Sequence, residues 1–565
     1  MKRFCVGGIA VALLTVVQAW TQDQPADPVL AAMSQELNRS FQNLKKAPVP
    51  PYFLAYQLTD NRAITVSSSF GALSGSDDQR TRLLDIDLRV GDYSLDNTHP
   101  LRGGMPSFGD FADRFTREKI PLENDPDALR MALWRETDRK YKQAAERFAQ
   151  VKANVAVKVE QEDQSGDLSH ESAAQYYEAE APFAFDRALW EGRVRKYTAP
   201  FNKYGSMMEA SAQVIAEVET RRYVNSDGAA VQMSSPLYRL IISASVKADD
   251  GMELPLHQTY MSFNATGLPD DTAVLKDVDS MIQTLLALRR APLAEPYTGP
   301  AILSGRASAV FFHEIFGHRI EGQRQKNEDE AQTFTKKVNQ PVLPDFLSVY
   351  SDPALRQIHG TELLGYYPYD DEGVKARRVN VVDSGILKNF LMSRAPIAGF
   401  PHSNGHGRRQ QGYAVVARQS NLVVESKRSV SRDQLKKMLI EQIKAANKPY
   451  GLIFDDIEGG FTFTQRTIPN AFNVLPTVVY RVYPDGREEL VRGVDLIGTP
   501  LIAFSKIAAA DDDVGIFNGI CGAESGWVPV SAVSPGLLIS QIEVQRKEKS
   551  QERAPILPAP GMTGK

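Results

Sequence analysis

The chain carries eight histidines in 565 residues, and two of them lie within one short apolar stretch, Phe311-Phe312-His313-Glu314-Ile315-Phe316-Gly317-His318. Neutral imidazole is the commonest zinc ligand, and a carboxylate beside such a site can take the proton of a metal-activated water. In the familiar helical zinc motif, H-E-x-x-H, four residues separate the histidines and place both on one face. Here the pattern is H-E-x-x-x-H. Five residues at about 100° each leave the two rings roughly 140° apart on a regular helix. They converge on one ion only if the helix is widened, as in a π-bulge, or broken near Gly317. The competing explanation is a buried helix whose histidines are merely hydrogen-bonded, since a buried polar group without a partner is costly.

The elements that must position this segment come from two differently patterned halves. Hydrophobic residues make up 42% and charged residues 24%, as in ordinary globular proteins, and the length calls for two or more domains. A net charge of −4 speaks against a general nucleic-acid-binding surface. Residues 1–19 read as a secretory signal: Lys2 and Arg3, an apolar run, then Val17-Gln18-Ala19 with small residues where a signal peptidase reads. Its removal takes away two cations and no acid, moving the charge from −4 to −6. No later stretch reaches a membrane-spanning length, so an exported, periplasmic or secreted protein without a stable span is expected.

Cleavage also removes Cys5 and leaves Cys521 alone. A lone thiol in an oxidising compartment has no internal disulfide partner. It is an inert buried residue, an intermolecular partner or a metal ligand, and the glycines of Asn518-Gly519-Ile520-Cys521-Gly522 suggest a turn that presents it.

In the N-terminal half, Val29, Met33, Leu37 and Phe41 predict a helix over 28–45. Short strands are expected around 53–56, 64–66 and 84–90. Asp125 and Pro126 open a long helix whose apolar stripe is read as Met131, Trp134, Tyr141, Ala145 and Phe148. An acidic surface loop is expected at 160–171 and a further helix near Met208–Glu217. A hairpin about Asp249-Asp250-Gly251 and an amphipathic helix over Asp271–Arg290 follow. Three prolines mark a linker at 291–300. The second half shows hairpin turns at Asp383-Ser384-Gly385 and Pro484-Asp485-Gly486, and a capping box at Ser431 with Gln434. The reading is α+β. A mixed α/β domain spans 28–290, and a strand-rich, barrel- or sandwich-like domain over 301–545 carries the metal site. A disordered tail is expected at 546–565.

Two histidines, with or without Cys521, and Glu314 as general base would form a catalytic rather than a structural zinc site, which keeps one position open. The sequence resembles the TldD/PmbA family of metallopeptidases. The resemblance is carried by His313 to His318 with Glu321-Gly322, by Asp370-Asp371-Glu372-Gly373, and by Asn404-Gly405-His406-Gly407-Arg408-Arg409. Gly459-Gly460 and Gly515 to Gly522 with Val528-Pro529-Val530 complete it. It implies one Zn²⁺ per chain held by His313, His318 and Cys521, with Glu314 as the catalytic glutamate. It also implies a two-domain fold and a TldD-like branch, since PmbA-like members lack the metal motif. Peptide or unfolded-protein substrates are implied, and a homodimer or a heterodimer with a PmbA-like homologue. Asp371, Arg408 and Arg409 are candidate substrate-binding residues, because an arginine fork suits a peptide carboxylate. His402 and His406 lie in a glycine-rich loop and are left out of the metal site. Two other readings stand beside this one. A dipeptidyl-peptidase with a similar motif would need a downstream E-E-x-x-x-[ED], which is not found. A non-catalytic peptide-binding or scaffold homologue would retain the motif for structure alone.

Overall fold

The computed structural model describes residues 27–101, 118–156, 163–462, 464, 472–547, 556–557 and 560. The expected signal at 1–19 and most of the expected disordered tail lie outside them.

Two sheets organise the chain. The first is antiparallel along its main path, in the order β2-β1-β3-β4-β5. These strands are β1 (Pro51–Ser69), β2 (Ala72–Val90), β3 (Met207–Asn225), β4 (Ala230–Lys247) and β5 (Glu253–Ser262). The three short strands expected before residue 95 are thus two strands of 19 residues, joined at Phe70-Gly71. Helices α1 (Pro28–Leu44) and α2 (Pro126–Val155) share a core with β1 and β2, while α3 (Arg187–Thr198) and α4 (Asp271–Arg290) bury Trp190, Val194, Val278 and Leu285 beside β3 and β4. Asp125 caps α2 as expected, its side chain accepting from the Ala128 amide at 2.7 Å.

Several expectations need correction. Met208–Glu217 is strand, not helix: Ala210, Ala212, Val214 and Ala216 are buried while Glu209 and Ser211 face out, a period of two hidden among helix-favouring residue types. The inward stripe of α2 is Leu129, Ala132, Leu133, Ala144 and Val151. Of the stripe read in the sequence, Tyr141 and Phe148 pack against this core, whereas Met131 and Trp134 are 61% and 47% exposed. The acidic segment at 160–171 is partly interior. Within its described part, Asp167 holds His99 at 2.8 Å and the Ser169 carbonyl accepts from Arg394 at 2.6 Å.

The second sheet contains a closed ring of five strands. These are β6 (Tyr297–Leu303), β9 (Gly451–Thr462), β10 (Phe472–Val482), β11 (Val494–Gly498) and β13 (Gly526–Arg546), which pairs back onto β6. The strand-rich half is therefore a barrel, and its first strand begins inside the stretch read as linker. From the same sheet extend β7 (Leu347–Ser351), β8 (Asn421–Ser426) and β12 (Ile507–Ala523). Helix α5 (Gly305–Ile315) follows β6 directly. Its Val310, Phe311, Phe312 and Ile315 are fully buried in one core with Phe454, Phe472, Leu496 and Leu537 of the barrel. Helix α6 (Arg432–Ala445) begins at Ser431, whose hydroxyl accepts from the Gln434 amide. No helix among the described residues is long and apolar enough to cross a membrane.

Candidate metal centre

Helix α5 ends at Ile315, and a 3₁₀ turn takes over at Gly317–Ile320. Of the two ways a five-residue spacing could converge, the chain uses the break. Terminating the helix orphans the carbonyls of its last turn. Two side chains answer them: Gln419 Nε2 donates to the His313 carbonyl at 3.1 Å, and Arg319 Nη1 to that of Ile315 at 3.0 Å. The tighter turn brings the rings of His313 and His318 to 5.2 Å between centroids.

Cys521 reaches them from β12, where it pairs with Val528 of β13. Donor atoms of His313, His318 and Cys521 all lie within 4.8 Å of one another, and all three residues are buried. His318 Nε2 is 3.3 Å from Cys521 Sγ and 4.0 Å from Glu314 Oε2. His313 Nδ1 is buried without a hydrogen-bond partner among the described residues, so a donor atom stands unused at the cluster. Two nitrogens, one sulfur and an orphaned ring atom fit a zinc-type ion, whose preferred donors are these.

The electrostatics agree with a thiolate–imidazole cluster. Burial pushes the Cys521 thiol up, but the charges of His318 and His313 outweigh it and hold the thiol well below its ordinary range. Burial pushes His318 down; the Cys521 and Glu321 charges reverse this and raise it to about 10. Glu314 is raised chiefly by burial, against the opposing pull of the two histidines. Its neighbour Gly460 leaves no room for more: a Cβ there would stand 3.2 Å from Glu314 Cγ and 2.9 Å from the Asn473 carbonyl.

Behind the donors stands a layer the sequence did not reveal as such. Glu321 Oε2 meets His318 Nδ1 at 3.3 Å, fixing which ring nitrogen faces the cysteine. Arg324 donates to the same oxygen at 2.9 Å and to Glu524 at 2.7 Å. Burial pushes Glu321 up, yet His318, Arg324 and Arg418 together hold it at about 2. Arg418, with no exposed surface, donates to the Cys521 sulfur and carbonyl. In the sequence Glu321 stood only as part of the motif that carries the resemblance, without a role; nothing in one sequence signals Arg418.

The remaining candidates are occupied elsewhere. Asp371 accepts from Arg221 of β3, from Gln57 of β1 and from the Arg409 amide, so it ties the first sheet to the second half of the chain. Arg408 Nη1 donates to the carbonyls of Gln419 and Pro529, and Arg409 donates to Gln57 and Tyr413. Among the described residues, no hydrogen bond or ion pair joins these three to the cluster. Asp370 and Glu372 are likewise buried rather than a solvated turn. His406 is buried against Ser351 and Asn404, and burial lowers it to about 3. His402 lies exposed beside Glu171.

Residues 296–546 match the PmbA/TldA metallopeptidase C-terminal domain. The chain is similar to a metalloprotease of Archaeoglobus fulgidus, 27% identical over 42% of this chain and 51% of the relative. A zinc metalloprotease TldD homolog of Saccharolobus solfataricus is 25% identical over 43% and 51%, so the match spans about half the length of these two relatives. A metalloprotease TldD homolog of Haemophilus influenzae is 27% identical over 60% of this chain and 67% of its own. Among solved structures, TldE from Thermococcus kodakarensis superposes with a TM-score of 0.59 at 14% identity, covering 91% of this chain and all of that one. A putative modulator of a DNA gyrase from Thermotoga maritima gives 0.59 at 16%, covering 90% and 99%. These structures share the fold.

Proposed function

The chain belongs to the TldD/PmbA family through its residues 296–546, and on that premise we propose that it is a zinc-dependent peptidase acting on extended or unfolded peptides. The observation that carries this reading is the buried His313–His318–Cys521 group with the Glu314 carboxylate 4.0 Å from His318. His313, His318 and Cys521 would hold the ion, which when bound supplies Lewis-acid polarisation and an acidified water. Glu314 is the residue that holds and moves a proton. Burial raises its pKa above the ordinary carboxylate range, against the pull of the two histidines, and Gly460 packs against its stem. Glu321 keeps His318 in one tautomer. Phe517 lies beside His313, with ring centroids 6.1 Å apart.

The same reading extends to an exported protein, to two domains meeting at the Asp371 cross-link, and to a dimer with a second copy or a PmbA-like homologue. The deciding experiment measures zinc in the purified full chain and digestion of an unstructured peptide. One zinc per chain, with cleavage abolished by a chelator and restored by zinc, is expected. A zinc-loaded chain that cleaves no unstructured peptide would leave a binding protein instead.

A further inference from the structure

Arg418 is buried completely, and its two terminal nitrogens make four hydrogen bonds among the described residues. Nη2 donates to Cys521 Sγ at 3.2 Å and to the Cys521 carbonyl at 2.8 Å. Nη1 donates to Ser525 Oγ at 2.9 Å and to the Gly526 carbonyl at 3.1 Å. Nε forms an ion pair with Glu321 Oε1 at 3.4 Å, and Glu321 through its other oxygen meets His318. The Arg418 amide is anchored on the His406 carbonyl at 2.9 Å. One guanidinium thus touches the thiol, the two-residue turn that returns β12 into β13, and the carboxylate that orients a histidine 203 residues from the cysteine.

The geometry points to Arg418 as a positioning residue that sets the donor geometry and sulfur character of the metal centre, an inference that rests on the zinc reading above. A planar fork fits this task and an ammonium does not, because only a fork serves the turn, the sulfur and the carboxylate at fixed angles. A hydrogen bond to a metal-binding sulfur draws charge from it, and groups behind the ligands commonly govern affinity by about 10–100-fold.

The test uses the full chain with zinc and with cobalt. Zinc affinity is measured by chelator competition in wild type, Arg418→Lys and Arg418→Met, each also in a Cys521→Ala background. Arg418→Lys should weaken zinc binding by about 10-fold or more and Arg418→Met further, within the range such groups command. In Cys521→Ala the same changes should cost clearly less than with the cysteine present, the remainder acting through Glu321 and His318. The thiolate-to-cobalt absorption band should shift in Arg418→Lys. If Arg418→Met does not fold, Arg418→Lys and Ser525→Ala, which loosens one anchor of the fork, carry the test. Wild-type affinity and an unshifted band in Arg418→Lys overturn the inference alone. Equal losses with and without Cys521 do the same, marking a merely structural arginine. A wild type that takes up neither ion overturns the zinc reading together with it.

Discussion

Gly317 and Gln419 share a space that one more carbon would fill. A Cβ on Gly317 would stand 1.8 Å from Gln419 Oε1, while the amide nitrogen of the same side chain holds the His313 carbonyl. The glycine that breaks the helix is also the gap into which the brace for the first histidine fits. Gly317→Ala should therefore cost about 1–3 kcal/mol, as overpacking does, and displace Gln419 from His313. Thermal unfolding with and without zinc checks it; an unchanged melting temperature and zinc affinity would remove Gln419 from the account.

Glu314→Gln keeps the size and loses the base. Zinc content and melting temperature should stay near those of the wild type while peptide hydrolysis falls by about 10²–10⁴-fold, the usual range for a general base. Zinc analysis beside a peptide digest separates the two, and retained hydrolysis would remove Glu314 from its role.

Asp371 was read from the sequence as a substrate contact, and the structure places its carboxylate against Arg221 and the Arg409 amide. Breaking one member of a buried pair costs about 3–5 kcal/mol because the other is left uncompensated. Arg221→Ala should destabilise by that order with KM for an unstructured peptide little changed. A raised KM at unaltered stability would restore the substrate role.

The pH dependence follows from Asp370 and Glu372, two buried carboxyls that both face Gly407. Burial raises each above the ordinary range; the Glu372 charge adds to this at Asp370, while Arg394 and Arg89 oppose it at Glu372. An acid raised in the fold keeps its proton where the unfolded chain has lost it, so stability falls as pH climbs from about 4 through the folded value. Glu372→Gln retains an acceptor for the Arg394 amide and has no proton to lose. Its melting temperature should gain on the wild type progressively from pH 5 to pH 8. Parallel curves across that range would show that Glu372 ionises freely.

How far the sequence could be read depends on how locally each feature is encoded. The histidine spacing forced a choice between a bulge and a break, and Gly317 named the place. Asp125 and Ser431 announced their helices because a cap is a contact over three residues. Met208–Glu217 misled because alanine, glutamate and methionine favour helix, whereas the alternation that makes it strand is decided by a neighbouring sheet. Met131 and Trp134 misled for the related reason that the orientation of α2 is set by α1 and β2, not by its own composition. Arg408 and Arg409 stood out as charges, but the carbonyls and side chains they serve lie on other elements. Arg418 was out of reach altogether: its partners Glu321, and Cys521 with Ser525, come from two distant segments that only the tertiary fold brings together.

That closure has a consequence for timing. Strand β13 both seals the barrel against β6, its earliest strand, and pairs with the strand that carries Cys521. A chain emerging N-terminus first holds His313 and Glu314 long before the third donor exists, and contacts of such sequence separation form late. No nascent or truncated product ending before residue 521 contains all three candidate donors. On the proposed reading, order of synthesis itself delays the centre: its third donor arrives only with β12, and its setting only when β13 has closed the barrel.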